Sequence, residues 1–390
     1  MRQKSARMDM LECYLDWTKR PTMPAKILIL GGTGFTGRLI ARHLLERSDA
    51  IVTIASRHLE RAQEVAGDLG RDRPGRVSAA RADAADAASL GAAMAGQTLV
   101  VGAAPTTAYV ETVARLALDL GVDYLDVQLG AKKFAYLKSL AAEIEAKGRC
   151  FITEAGFHPG LPAALVRFAA GHLDRLETAT TACYLSIAKD LPYSDAVGEL
   201  VEVFRDYQSQ VFASGHWTNP KSFQIKKIAF GGDLGTRTCY SMFFEELRPL
   251  PERYSSLQET GFYMAGSPWF VDWFVYPLAF ALLGVLPHAK KTAGRLLWWG
   301  MTRFQKPPFR TELIVKATGQ HAGHPTTFEA AVSHRDAYEL TAIPVTAAIL
   351  QYLEGMGRRP GLWMMGHLAD PRRLVTDMKR MGVKVRTATE

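Results

Sequence analysis

The chain has 390 residues, 48% of them hydrophobic and 22% charged, which describes a globular protein long enough for two domains with full cores. Its formal charge of +8 is spread along the chain without a basic block or a nucleic-acid motif, so no nucleic-acid partner is expected. Cys13, Cys150, Cys183 and Cys239 lie far apart with no C-x-x-C pair, which points to a reducing, cytoplasmic setting and no cysteine-rich metal site.

Residues 1–23 read as an N-terminal extension. They mix charge with scattered apolar residues and contain no apolar core of signal-peptide length. Leu11, Tyr14, Leu15 and Trp17 fit a short amphipathic helix, while a frayed extension, or translation starting at Met23, fits equally well.

Ile27, Leu28, Ile29 and Leu30 form an unbroken apolar run, as in a parallel strand buried on both faces. The loop Gly31, Gly32, Thr33, Gly34, Phe35, Thr36 and Gly37 follows at once. It fits G-x-G-x-x-G from Gly32 and G-x-x-G-x-x-G from Gly31. Leu39, Ile40, Leu44 and Leu45 then recur at helical spacing. A strand, a glycine turn and a helix in this order make a dinucleotide site: glycines let a phosphate approach the backbone, and the first helical turn offers unpaired N–H groups and a positive dipole end.

A second strand, Ile51 to Ala55, ends in Ser56-Arg57. An acidic residue about 20 positions past the glycines would bind the ribose 2′-hydroxyl of NAD. A hydroxyl and a guanidinium stand there instead, and they suit a 2′-phosphate, so NADP(H) is the expected cofactor; an ordinary surface arginine is the alternative. Val77 to Ala82 reads as a third strand, with Asp83 placed to meet the adenine amino group. Leu99 to Ala104 is a fourth, and small Ala103 and Ala104 would let the nicotinamide half lie close. Tyr124 to Val127 and Cys150 to Thr153 are strands five and six. Helical patterns fill the gaps at Leu59–Leu69, Ala87–Met94, Tyr109–Leu120 and Phe134–Ala146. The alternation predicts a Rossmann, doubly wound parallel sheet over 24–172.

GGTGFTG, the Ala55-Ser56-Arg57 triplet, VVGAAP, VDYLDVQLG and EAGFHPGLPAALV together resemble the saccharopine dehydrogenase-like oxidoreductases over roughly Lys26 to Ala170. The resemblance implies an NADP(H)-binding Rossmann domain, a mixed α/β second domain and a closing C-terminal helical region. Relatives include saccharopine reductases and enoyl reductases acting on lipids, so cofactor and hydride follow while the substrate stays open. Where relatives often carry an Asn and a second glycine after strand four, this chain has Gly102 and Thr106. GGTGFTG also suits short-chain dehydrogenases, but no tyrosine here has a lysine four residues on, so their Tyr-x-x-x-Lys chemistry is absent.

After a helix at Ala163–Leu173 the pattern changes to longer alternating runs: Thr180–Ile187, Phe223–Phe230, Thr238–Leu247, Thr311–Thr318 and Thr327–His334. The last two flank Gly319–Pro325 as a hairpin, and His321 and His324 fit that loop better than a metal site. Asp195 to Gln210 reads as a helical insert. Residues 173–338 are thus expected to form an α+β domain of mostly antiparallel sheet, with substrate bound between it and the first. Residues 339–390 are expected as a C-terminal helical region, its helix Thr341–Gly355 returning to the Rossmann domain.

Trp269 to Leu286 is the most hydrophobic stretch, with Asp272 its only charge and Pro277 near its middle; Lys290, Lys291, Arg295, Trp298 and Trp299 follow. A buried helix or a homodimer interface, a wall for a greasy substrate, and peripheral membrane contact through 269–299 all fit. A true span is disfavoured by the proline and the aspartate.

Ligands in such sheets bind beyond the carboxyl ends of the strands, which singles out Asp126 and Gln128 after strand five and Glu154 and His158 after strand six. His158 is the expected proton donor by its ordinary pKa, or else a turn residue before the next helix. Asp126 is the second catalytic candidate, or else a helix cap. Tyr184, Tyr193 and Glu245 are weaker candidates. The leading expectation is an NADP(H)-dependent reductase of a C=N or C=C bond on a small or lipid-like substrate. Amino-acid chemistry of the saccharopine type would need arginines such as Arg205, Arg237 and Arg248 to converge. The expectation from another class is a membrane-associated protein that binds NADP(H) without turnover.

Overall fold

The computed structural model describes residues 23–186, 207–267, 270–285, 290–304, 307 and 309–390. Two compact units emerge. One takes the described residues up to His158 together with Thr341–Met378; the other takes Pro159–Leu340 with Lys379–Glu390. Tyr193, Arg205 and most of the expected insert at 195–210 lie outside the described residues.

The first unit is a parallel sheet of β1 (Lys26–Leu30), β2 (Ile51–Ser56), β3 (Val77–Arg81), β4 (Leu99–Gly102), β5 (Asp123–Asp126), β6 (Cys150–Thr153) and β15 (Gly361–Met364), in spatial order β15-β6-β5-β4-β1-β2-β3. Strand order reverses between β1 and β4, the point where such sheets open a crevice at their carboxyl edge. Helices α1 (Phe35–Arg47), α2 (Leu59–Gly70), α3 (Ala87–Met94), α4 (Val110–Asp119), α5 (Ala131–Ser139) and α6 (Ala141–Ala146) alternate with the strands. Ile27, Leu28 and Ile29 are fully buried, as an apolar run between two helical layers requires.

The second unit opens with α7 (Leu161–Ala170) and holds a mixed sheet, β10 (Ile225–Ala229), β11 (Thr236–Met242), β12 (Glu259–Ala265), β7 (Arg175–Leu185), β13 (Thr311–His321), β14 (His324–His334) and β16 (Lys384–Thr389), in that order; short β8 (Phe212–Ala213) pairs with β12 and with β9 (His216–Trp217), and α8 (Leu250–Arg253) precedes β12. Its pairs are antiparallel except β12 with β7. The expected hairpin is tighter than its sequence suggests. His321 pairs with His324, and Ala322 and Gly323 turn the chain with φ of 51° and 81°, both left-handed as a two-residue hairpin demands.

Two boundaries depart from expectation. Helix α7 belongs with the second unit, because buried Glu246 accepts from the Gly160 N–H (2.8 Å) and the Ala163 N–H (3.2 Å) at its start, and Phe168 and His172 pack on Phe328. The C-terminal stretch is not helical throughout. Helix α11 (Ala337–Leu353) does run into the first unit, but β15 extends that unit's sheet beside β6 and β16 pairs with β14 in the other. A four-residue strand and an exposed polar edge strand carry too little periodicity to be read from sequence.

Candidate functional site

The glycine loop sits at the β1/β4 reversal. Gly31 adopts φ 85°, and a Cβ placed there would stand 2.6 Å from the Ala104 Cβ and 2.8 Å from its nitrogen. Gly37 passes as closely over the loop, where a Cβ would lie 2.4 Å from the Gly31 carbonyl oxygen. The first turn of α1 therefore rests directly on the loop. Gly34 is its N-cap, no side chain caps it and no acid occupies its first turn. A cradle free of side chains at an uncapped helix start fits a pyrophosphate.

At the end of β2, Ser56 is half-buried and Arg57 exposed. The Ser56 hydroxyl accepts from the His58 N–H at 3.3 Å, which leaves its own hydrogen to donate. Asp83 lies two residues past the end of β3, but its Oδ1 accepts from the Ala85 N–H at 3.0 Å and closes a turn, so only the rest of the carboxylate is open toward an adenine. Half-buried Ala103 and Ala104 follow β4. Their loop is held from β5: the Gln128 amide donates to the Ala104 carbonyl and, at 2.7 Å, to Thr106 Oγ1. Thr106, a departure from the family pattern, is thereby an anchor for the loop.

Asp126 sits in a buried network of hydrogen bonds. Its side chain is fully buried, with Oδ1 2.5 Å from Lys133 Nζ and Oδ2 accepting from Thr153 Oγ1 at 2.9 Å. The Gln128 N–H (3.1 Å) and the Glu154 N–H (3.3 Å) also donate to Oδ1. Lys133 completes its own set with the Gln128 carbonyl (2.6 Å) and Thr153 Oγ1 (2.7 Å). This knot ties β5, α5 and β6 together at the carboxyl edge. It caps no helix, since α5 starts from Gly130.

His158 follows β6 beyond Glu154, whose φ of 55° bends the chain in the left-handed region. Burial lowers the His158 pKa to about 4, so the ring is neutral near pH 7. The ordinary pKa expected of this residue is thus lowered by desolvation. In the second unit, Arg237 donates to the Leu234 carbonyl (2.9 Å) and lies over Tyr184. Arg248 pairs with Glu245 (2.9 Å) and lies over Trp217 and Phe243. Both arginines are engaged close to their own strands and turns.

Sequence reasoning passed over Lys133 and Glu246, both buried charges. Neither carries a local signal: Lys133 stands beside exposed Lys132 in an ordinary helical stretch.

Residues 27–152 match the model of the saccharopine dehydrogenase NADP-binding domain. The fold is similar to that of apo saccharopine dehydrogenase (L-Glu forming) from Saccharomyces cerevisiae, with a TM-score of 0.70 at 14% identity over 94% of this chain and 100% of that one. A dehydrogenase from Chromobacterium violaceum aligns over 93% of this chain and 94% of its own at 12% identity and a TM-score of 0.44. The resemblance read from the motifs therefore extends over 27–152, where the chain is similar to saccharopine dehydrogenase NADP-binding domains, and NADP(H) is the cofactor.

Proposed function

We propose that this saccharopine dehydrogenase-like chain is an oxidoreductase that transfers hydride between NADP(H) and a C=N or C=C bond of a small or lipid-like substrate. The observation that carries the proposal is the contact of Gly31 with Ala104 beside the uncapped start of α1, a cradle that any added methyl would fill. When bound, the nicotinamide supplies or accepts the hydride. The chain's residues do the positioning. The loop and α1 hold phosphate, Ser56 and Arg57 meet the 2′-phosphate, and Gln128 keeps the Ala103-Ala104 wall in place. His158 acts as a neutral imidazole, able to hold or pass a proton through its ring N–H. Asp126 positions the edge from which these residues come.

The engaged state of Arg237 and Arg248 favours a weakly charged substrate over a multiply carboxylated amino acid. The test is fluorescence titration with NADPH and NADH on the wild type and Arg57→Ala, followed by NADPH oxidation with imines, enoyl thioesters and imino acids. Tight NADPH binding lost in Arg57→Ala, with oxidation by one acceptor class, is the expected result. Equal or absent binding of the two nucleotides would sink the assignment.

A second reading is NADP(H) binding without turnover. One observation favours it: Asp126, one of two acid candidates, is locked onto Lys133. Tight NADPH binding with no oxidation across the whole acceptor panel would move the assignment there.

A further inference from the structure

The stretch from Phe270 to Phe304 inverts the usual surface-helix pattern. A π-helical turn, Val271–Val275, widens the backbone just before Pro277 and runs into α9 (Tyr276–Val285), with α10 (Lys290–Arg303) packed beside it. The seam is close: a Cβ at Gly300 would stand 2.8 Å from Val275 Cγ1, and Ala279 and Leu297 are fully buried. The outward face should then be polar. It carries instead Phe270, Trp273, Phe274 and Leu278, exposed by 40, 67, 56 and 55%. The rings run on across the second helix. Phe270 stacks on Phe274 at 5.6 Å and meets Phe304 at 5.6 Å, and Phe304 meets Trp299 at 4.7 Å.

Charge selects the occupant. From Gly266 to Phe304 the sequence has one acid, Asp272, against Lys290, Lys291, Arg295 and Arg303. Asp272 is drawn inward, its Oδ1 accepting from the Ser267 N–H at 3.0 Å and its Oδ2 from the Tyr240 hydroxyl at 3.3 Å. Arg295 and Arg303 are exposed, each four residues from Trp299 and so on its side of α10. Exposed aromatics flanked by cations match the acyl–headgroup boundary and its phosphates. A second copy of the chain would set these cations against themselves. No helix among the described residues is long and apolar enough to cross a membrane.

We propose that this aromatic face docks on an anionic membrane surface, lying in the interface without spanning it. The test is co-sedimentation of the full chain with vesicles of phosphatidylcholine alone, or with about one-third phosphatidylserine. Trp273→Ala with Phe274→Ala, and Arg295→Glu with Arg303→Glu, are compared with wild type after melting midpoints show that each is folded. Wild type should bind the mixed vesicles. The aromatic pair should lose partitioning by at least ~10-fold, and the arginine pair should lose the preference for anionic lipid. Absence of wild-type binding, or binding indifferent to both pairs, overturns the proposal. A wild-type dimer that dissociates in Trp273→Ala with Phe274→Ala, without a change in vesicle binding, also overturns it and assigns the face to self-association.

Discussion

Lys133 Nζ lies 2.5 Å from Asp126 Oδ1, and neither side chain is exposed to solvent. A buried pair of this kind stabilises little against an apolar pair, but losing one partner strands a charge in the interior. Lys133→Met should therefore destabilise the first unit by about 3–5 kcal/mol. The double variant Lys133→Met with Asp126→Asn should recover a large part of that loss. Urea denaturation followed by a probe in the first unit checks both, and additive effects would show that the pair does not act as one element.

The glycine loop gives a steric prediction. Gly31→Ala must place its methyl 2.6 Å from the Ala104 Cβ while holding φ at 85°, at a cost of about 1–3 kcal/mol. NADPH affinity should fall by at least about tenfold. Adding Ala104→Gly should not rescue it, because the Ala104 nitrogen and Cα would still stand 2.8 and 2.9 Å away. Titration of the single and double variants decides.

Much of this unit was legible because its signals are local. Ile27 to Leu30 are apolar without interruption, and the loop has glycine wherever a Cβ would collide. What escaped depends on partners far along the chain. Asp126 looks like a free carboxylate until Lys133 and Thr153 close on it. His158 has an ordinary pKa in sequence and loses it only through desolvation. Glu246 carries no local signal, yet it binds the start of α7, 86 residues away from it at Gly160.

His158 yields a pH prediction. Its folded pKa, about 4, lies below the ordinary 6.5, so between these values the unfolded chain binds a proton that the folded chain refuses. Its contribution is complete above pH 6.5 and lost as pH falls toward 4, by about 1–3 kcal/mol in all. His158→Gln should flatten that part of the stability profile. The pH dependence of kcat/KM should show no inflection near 6.5 that this substitution removes.

Tyr352 should anchor the returning helix α11. Its hydroxyl donates to the buried Asp123 Oδ2 at 2.6 Å, and Arg358 Nε donates to the same oxygen at 3.0 Å. Tyr352→Phe removes one of these donors and leaves the carboxylate buried, with an expected loss of about 1–3 kcal/mol. The loss should appear in the transition of the first unit and leave that of the second unchanged, as two-transition calorimetry can show.

Asp272 gives a shift of the opposite sign. Burial raises its pKa from 3.8 to about 6, so between these values the folded chain holds a proton that the unfolded chain has released. Stability is full below about pH 4 and declines as pH rises through 6, above which the carboxylate is a standing penalty. A two-unit shift corresponds to at most about 3 kcal/mol, and screening at this partly exposed carboxyl reduces it to about 1 kcal/mol. Asp272→Asn keeps an oxygen for the Ser267 N–H and carries no charge. It should raise the melting midpoint of the second unit at pH 7.5 and have no benefit at pH 4. A gain equal at both values would mean that the effect comes from packing beside Tyr240 and not from ionisation.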